Sequence, residues 1–252
     1  MSGLTAATRR GFLKASACGA AALSLSGCAH RQPLRATSGP SAESTFALDG
    51  NRVRFCTPSI REQVKLVVIG DTHLHQDDAR GEPFREYSGR MAKAYNQTKH
   101  VQTGAATNPQ ESFERALALA KERRADLLAL AGDIFSFPSE AAVEWARARL
   151  EASGVPYLYV SGNHDWHYEG LPGAEAALRA EWAERRLKPL YQGRHPLMAA
   201  ADVKGVRFVA IDDSTYEILP EQLAFFREQV ATGKPLVLVM HKIGRASCRE
   251  RV

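Results

Sequence analysis

Asp71 and His73, then Asp133, then Asn163-His164-Asp165, and finally His241 are oxygen- and nitrogen-bearing side chains scattered over 170 residues of the chain. Each group follows a short apolar run: Lys65 to Ile69, Leu127 to Ala131, Tyr157 to Val160, and Leu236 to Met240. Such groups ligate metals and carry protons. Taken singly, none is informative, because a Gly-Asp after a strand usually makes a turn and a lone histidine usually has a structural partner. Four strand ends bearing them together read as one site. Asp71 and His73 are two apart in what reads as an extended segment, so their side chains are expected on the same side.

The elements that must position these groups follow from hydrophobic period. The apolar runs are too short for helices and alternate with amphipathic segments, which gives an α/β fold with its polar residues where strands end. Asn108-Pro109-Gln110-Glu111 has the form of a helix start, and Phe113, Ala116, Leu117 and Ala120 follow on one face. Ser139 to Ser153 is a second helix that Gly154 ends, and Pro220 to Ala231 a third. Leu197 to Val203 and Val206 to Ile211, joined at Lys204-Gly205, read as a hairpin, so the later sheet is expected to be antiparallel. Residues 74 to 109 read as a long inserted loop.

Asp71-Thr72-His73, Gly132-Asp133, Gly162-Asn163-His164-Asp165 and His241 together resemble the calcineurin-like metallophosphoesterase family over residues 64 to 242. The resemblance implies a four-layer α-β-β-α sandwich of two mixed sheets, incomplete at its C-terminal end, with two divalent ions at the strand ends. Asp71 and His73 would bind the first ion, Asp133 would bridge both, and Asn163 and His241 would bind the second. His164 would face the phosphate, and Asp165 would orient His164. Two divalent ions less two carboxylates and a hydroxide leave one net positive charge to attract and polarise a phosphoric ester, mono- or diester. Nitrogen and oxygen ligands without sulfur suit Mn, Fe, Zn, Co or Ni. Two departures stand out. Ile134, Phe135 and Ser136 follow Asp133 where many family members place a further Asp or Asn, and the family's closing Gly-x-His-x-His segment has no counterpart. The competing class is a non-catalytic envelope module that binds metal or phosphate on the same fold; a pure binder has no need of a proton-transfer group such as His164.

Further candidates are His75, Arg85, Arg90, Asn96, Lys99 and His100 in the inserted segment and His167 after the third strand, all able to contact a substrate phosphate or sugar. A solvated loop is the plainer reading of the insertion, since its five basic and four acidic side chains nearly cancel.

The formal charge of +5 is not a property of the body. Residues 1 to 27 contain Arg9, Arg10 and Lys14 with no acid, residues 243 to 252 contain three arginines against Glu250, and 27 basic and 27 acidic residues remain in 28 to 242. No nucleic-acid-binding patch is evident. The Arg9-Arg10 pair followed by Phe12-Leu13-Lys14 and the apolar stretch to Ser26 resembles a twin-arginine export signal, and Leu25-Ser26-Gly27-Cys28 a lipobox. The expected organisation is a signal peptide over 1 to 27, a stalk and lead-in over 28 to 63 with a lipid on Cys28, the phosphoesterase domain over 64 to 242, and a tail over 243 to 252. Location at the cell envelope, with the export machinery and a bacterial membrane as partners, follows. One in-frame coding of Ile243 to Val252 resembles a sequencing adapter, so native sequence is expected to end near Lys242 and the natural protein to continue with the two missing histidines. The chain as written is then expected to bind metal weakly, to be poorly active, and to have an exposed sheet edge.

Overall fold

The computed structural model describes residues 44–95, 99–100 and 102–241. Cys28, the paired arginines, Asn96 and the tail lie outside them. The described chain starts with a hairpin of β1 (Thr45–Asp49) and β2 (Arg52–Cys56), turned at Gly50 with φ of 59°. Its cross-strand pairs Phe46–Phe55 and Leu48–Val53 share one exposed face.

The chain then proceeds from β3 (Leu66–Ile69) through a 3-10 turn (Ala79–Phe84) and α1 (Arg85–Tyr95) to α2 (Pro109–Glu122) and β4 (Leu127–Ala131). Then come α3 (Glu140–Ser153), β5 (Tyr157–Val160), the single turn α4 (Asn163–Trp166), and α5 (Glu175–Trp182), which runs through a π-helical stretch into α6 (Lys188–Tyr191). A hairpin of β6 (Met198–Val203) and β7 (Val206–Ile211), α7 (Pro220–Ala231) and β8 (Leu236–Val239) complete it.

Two three-stranded sheets result, ordered β3-β4-β5 and β6-β7-β8. The first is parallel throughout rather than mixed, because each of its connections passes through a helix, and a helical crossover returns the chain in the same direction. The second is mixed rather than antiparallel. Its hairpin pairs β6 and β7 antiparallel, but α7 carries the chain over so that β8 joins β7 parallel. Strand alternation divides the core. Leu127 and Ala129 with Leu158 and Val160 meet Ala199, Phe208, Ala210 and Val239 of the second sheet. Leu128, Leu130, Tyr157 and Tyr159 face the other way, toward Phe113, Leu117, Val143, Leu150 and Leu190 of the helices. Strands buried on both faces explain why β4 and β5 read as unbroken apolar runs.

The segment that reads as an inserted loop is helical over 79–95. α1 packs Met91 into the core beside Tyr87, four residues earlier on the same face, and Phe84 stacks on Tyr168 at 4.9 Å and meets Trp182 edge-on at 5.0 Å. Gly89 sits mid-helix with nothing within 4 Å of an added Cβ. Gly89→Ala is therefore expected to raise stability by about 0.5–1 kcal/mol, read as a higher urea midpoint, since alanine loses less backbone entropy on folding. An unchanged or lower midpoint would contradict the helix.

Candidate metal centre

Because β3, β4 and β5 are parallel, their C-terminal ends open on the same edge. The loops there hold one another through backbone. The Asp71 amide donates to the Gly132 carbonyl at 3.0 Å, the His73 amide to Asp133 at 3.0 Å, and the Leu74 amide to Ile134 at 2.8 Å. Thr72 adds a hydroxyl bond to the Ile134 carbonyl at 2.9 Å, and Ser136 one to the His73 carbonyl at 2.9 Å. The segment is not extended as expected. Asp71, His73 and Asp133 have φ of 54°, 48° and 49°, in the left-handed region that Asp and His tolerate better than most side chains. Turning, rather than strand alternation, makes the three converge: one ligand atom from each lies within 4.8 Å of the others.

Two glycines permit the closeness. A Cβ on Gly132, whose φ is 76°, would lie 2.5 Å from the His241 ring, and one on Gly162 would lie 2.2 Å from Asp133 Oδ1. Gly132 and Gly162 thus each leave room for a neighbouring candidate ligand.

Asp133 is the hub. Its Oδ1 accepts the His164 backbone amide at 2.9 Å, and its Oδ2 lies 3.0 Å from His241 Nε2. Burial opposes its ionisation, but the hydrogen bond and charge of His241, with the charge of His164, hold its carboxyl below the usual carboxylate range. Burial likewise opposes charge on His241, yet the bond to Asp133 and its charge push that imidazole up to about 9. His241 Nδ1 is 2.9 Å from the Ala131 carbonyl, which can only accept, so Nδ1 carries a proton and Nε2 is the atom directed at the carboxylate. His73 is held below its ordinary value by burial, against the pull of Asp133 and Asp71, and its ring meets that of His164 edge-on at 5.1 Å. A neutral His73 and an anionic Asp133 are the forms that ligate a cation.

Asp165 is fully buried, and its carboxylate accepts the Phe135 amide from Oδ1's side and the Gly162 amide at Oδ2, each at 2.8 Å. It thereby ties the loop after β4 to the loop after β5. Burial, then the charge of Asp133, pushes its carboxyl up to about 7. Asp165→Ala would leave two buried amides without acceptors and is expected to cost about 2–4 kcal/mol, measured by denaturant unfolding. A loss under 0.5 kcal/mol would show that water replaces the carboxylate.

Asn163 opens α4 on the loop after β5, next to His164. His75 lies just beyond the site, Nδ1 3.3 Å from the His73 carbonyl. His167 is half-buried, 5.8 Å from Trp166 ring to ring. Of the other described insertion candidates, Arg85 pairs with Glu82 at 2.5 Å, Arg90 with Glu169, the Lys99 backbone bridges that of Ala106, and His100 Nδ1 accepts the Gln102 and Thr103 amides at 3.3 Å. His100 also borders a cavity of about 300 Å³ with Asn108, Glu111 and Arg115, a cavity to which no residue of the Asp71–His73–Asp133 group contributes.

The sequence pattern assigns no role to Thr72, Ser136 or Ser161, nor to the pair Asp212-Asp213. The last had a signal: two acids directly after β7 are one more strand end of the same type. Asp213 Oδ1 accepts the His241 amide at 3.2 Å.

The model of the calcineurin-like phosphoesterase family matches residues 64–246. A protein of Psychrobacter arcticus named a "probable cyclic nucleotide phosphodiesterase" is 29% identical over 140 residues, which cover 52% of this chain and 48% of that protein. A Moraxella catarrhalis protein of the same name is 39% identical over 61 residues, 23% of this chain and 22% of its own. This chain thus spans about half or less of the curated relatives it matches. Among solved structures, a dimetal phosphatase from Danio rerio shares 15% identity at a TM-score of 0.37, over 65% of this chain and 50% of that one. A purple acid phosphatase from yellow lupin seeds shares 16% at 0.40, over 72% and 30%.

Proposed function

The chain belongs to the calcineurin-like phosphoesterase family, and from that premise we propose that it is a metal-dependent phosphoric ester hydrolase with a dinuclear centre. One observation carries the proposal: the Asp133 carboxylate is the point on which the loops after β3, β4, β5 and β8 converge. The donors fit divalent cations, being carboxylates and imidazoles without thiolate, two of them already in the required ionisation state. Asp71 and His73 would hold one ion, Asn163 and His241 the other, with Asp133 between them. Such ions, of Mn, Fe, Zn, Co or Ni type, would supply positive charge for the phosphoryl group and a nucleophilic water at neutral pH.

The chain's own residues do the rest. Asp165 and the backbone bonds between loops hold the ligands in place before substrate arrives, and His241 is oriented by the Ala131 carbonyl. His164, fixed through its amide to Asp133 and lying edge-on to His73, is the proton donor to the leaving oxygen. Hydrolysis of a diester by this route yields an alcohol and a monoester. The names of the curated relatives favour a cyclic nucleotide, a diester closed on one sugar, as the substrate class. The full domain would be a four-layer α-β-β-α sandwich. The reading extends to export and lipid anchoring at the cell envelope through Arg9-Arg10 and Cys28, which lie outside the described residues; no helix among those described is long and apolar enough to cross a membrane.

The test is hydrolysis of p-nitrophenyl phosphate, bis-p-nitrophenyl phosphate and a cyclic nucleotide with Mn²⁺, before and after chelation, with His164→Ala alongside. Activity is expected to vanish on chelation and return with Mn²⁺, and His164→Ala to lower kcat by about 10²–10⁴-fold. Activity that survives chelation, or an unaffected His164→Ala, would sink the reading.

A further inference from the structure

The loop after β7 contains a buried charge cluster to which the reaction assigns no part. Asp212 is wholly inaccessible, and Arg179 on α5 is 5% exposed. Asp212 Oδ1 accepts the Ser214 amide at 2.9 Å and the Ser214 hydroxyl at 2.6 Å, and pairs with Arg179 at 3.2 Å. Its Oδ2 accepts the Ser161 hydroxyl, and its carbonyl accepts from the Gln222 side chain of α7 at 2.6 Å. Burying a carboxylate and a guanidinium is a poor way to gain stability, because desolvation offsets most of their attraction. Placement is the stronger explanation.

Ser161 directly precedes Gly162-Asn163-His164, and the neighbouring Asp213 accepts the His241 amide at 3.2 Å. One dipeptide at the end of β7 therefore grips both the loop that carries Asn163 and the loop that carries His241. Those loops leave different sheets, β5 in the first and β8 in the second. The loops of Asp71 and His73 are secured differently, by backbone bonds to Gly132, Asp133 and Ile134. Resting on the dinuclear reading above, we propose that Asp212, neutralised by Arg179 and acting through Ser161, is a positioning residue that sets the separation of Asn163 and His241. Its loss weakens the metal site of Asn163 and His241 and leaves that of Asp71 and His73 intact.

The experiment is calorimetric titration of the full chain with Mn²⁺ alone, for wild type, Asp212→Asn and Ser161→Ala, with thermal midpoints recorded for each. Ser161→Ala cuts the link to the loop after β5 while keeping the Arg179 ion pair, so it serves if Asp212→Asn fails to fold. Wild type is expected to bind two equivalents, both weakly, as the missing closing histidines imply. In the variants one equivalent keeps its affinity, the other weakens by about 10–100-fold, and excess Mn²⁺ restores kcat. Two equivalents bound with wild-type affinity in a folded variant would overturn the inference, as would equal weakening of both with a lowered midpoint and no rescue, the mark of a merely structural role. Wild-type protein that binds fewer than two equivalents would overturn the dinuclear reading itself, and this inference with it.

Discussion

Asp133→Asn is expected to lower phosphoester hydrolysis by about three orders of magnitude, or ~4 kcal/mol of transition-state stabilisation, while leaving the fold in place. The fold survives because asparagine is the same size and is among the few side chains at ease with the φ of 49° found there. Its carbonyl oxygen can still accept the His164 amide that Asp133 Oδ1 accepts at 2.9 Å. The charge is what disappears. Without it, the proposed bridge between two cations becomes a neutral donor, and His241, which the carboxylate pushes up to about 9, loses the partner of its Nε2. Steady-state kinetics at saturating Mn²⁺, with circular dichroism to verify folding, decide the matter. A folded Asp133→Asn protein within tenfold of wild-type kcat would place the chemistry elsewhere.

Gly162→Ala tests the spacing of the loops rather than their chemistry. The added methyl would lie 2.2 Å from Asp133 Oδ1 and 2.4 Å from the Asp133 backbone nitrogen. Backbone cannot swing aside as a flexible side chain can, so one loop must move. A loss of about 2–3 kcal/mol is expected, with weakened Mn²⁺ binding. Denaturant midpoints and metal titration read both effects, and Gly89→Ala, the same chemical change in open space, is the matched control. An alanine at 162 that unfolds at the wild-type midpoint with wild-type metal affinity would mean that the loops stand farther apart.

Much of the scaffold was legible because local chemistry and tertiary structure agree. The Asn108 side chain accepts the Glu111 amide at 3.1 Å and starts α2, and Ser139 and Gly154, with φ of 68°, bound α3. β4, β5 and α7 occupy the ranges that their apolar runs and breakers mark out. What escaped was written weakly. Among the described side chains of α1, Tyr87, Met91 and Ala92 mark a core face, set among charged residues and a glycine. The β1-β2 hairpin alternates apolar and polar residues over two five-residue strands, too short a pattern to stand out within the lead-in segment.

The direction of β8 depends on α7 as a crossover, a non-local fact. At the site, residue types at strand ends sufficed to nominate Asp71, His73, Asp133 and His241, whereas the left-handed turns that bring the first three together come from backbone pairing between loops about 60 residues apart. The Asp212–Ser161 bond spans 51 residues and joins the loops of two sheets, so no window of sequence contains it.

The left-handed conformations of Asp71, His73 and Asp133 have an evolutionary consequence. A side chain in that region is less stable there than glycine by about 1 kcal/mol, so these three positions hold the chain below the stability its own backbone could reach. Glycine at position 73 would relieve that backbone cost and remove the imidazole on which the site depends. Selection for robustness alone would erase this site, and its persistence in a lineage would mark a continuing demand for what it does.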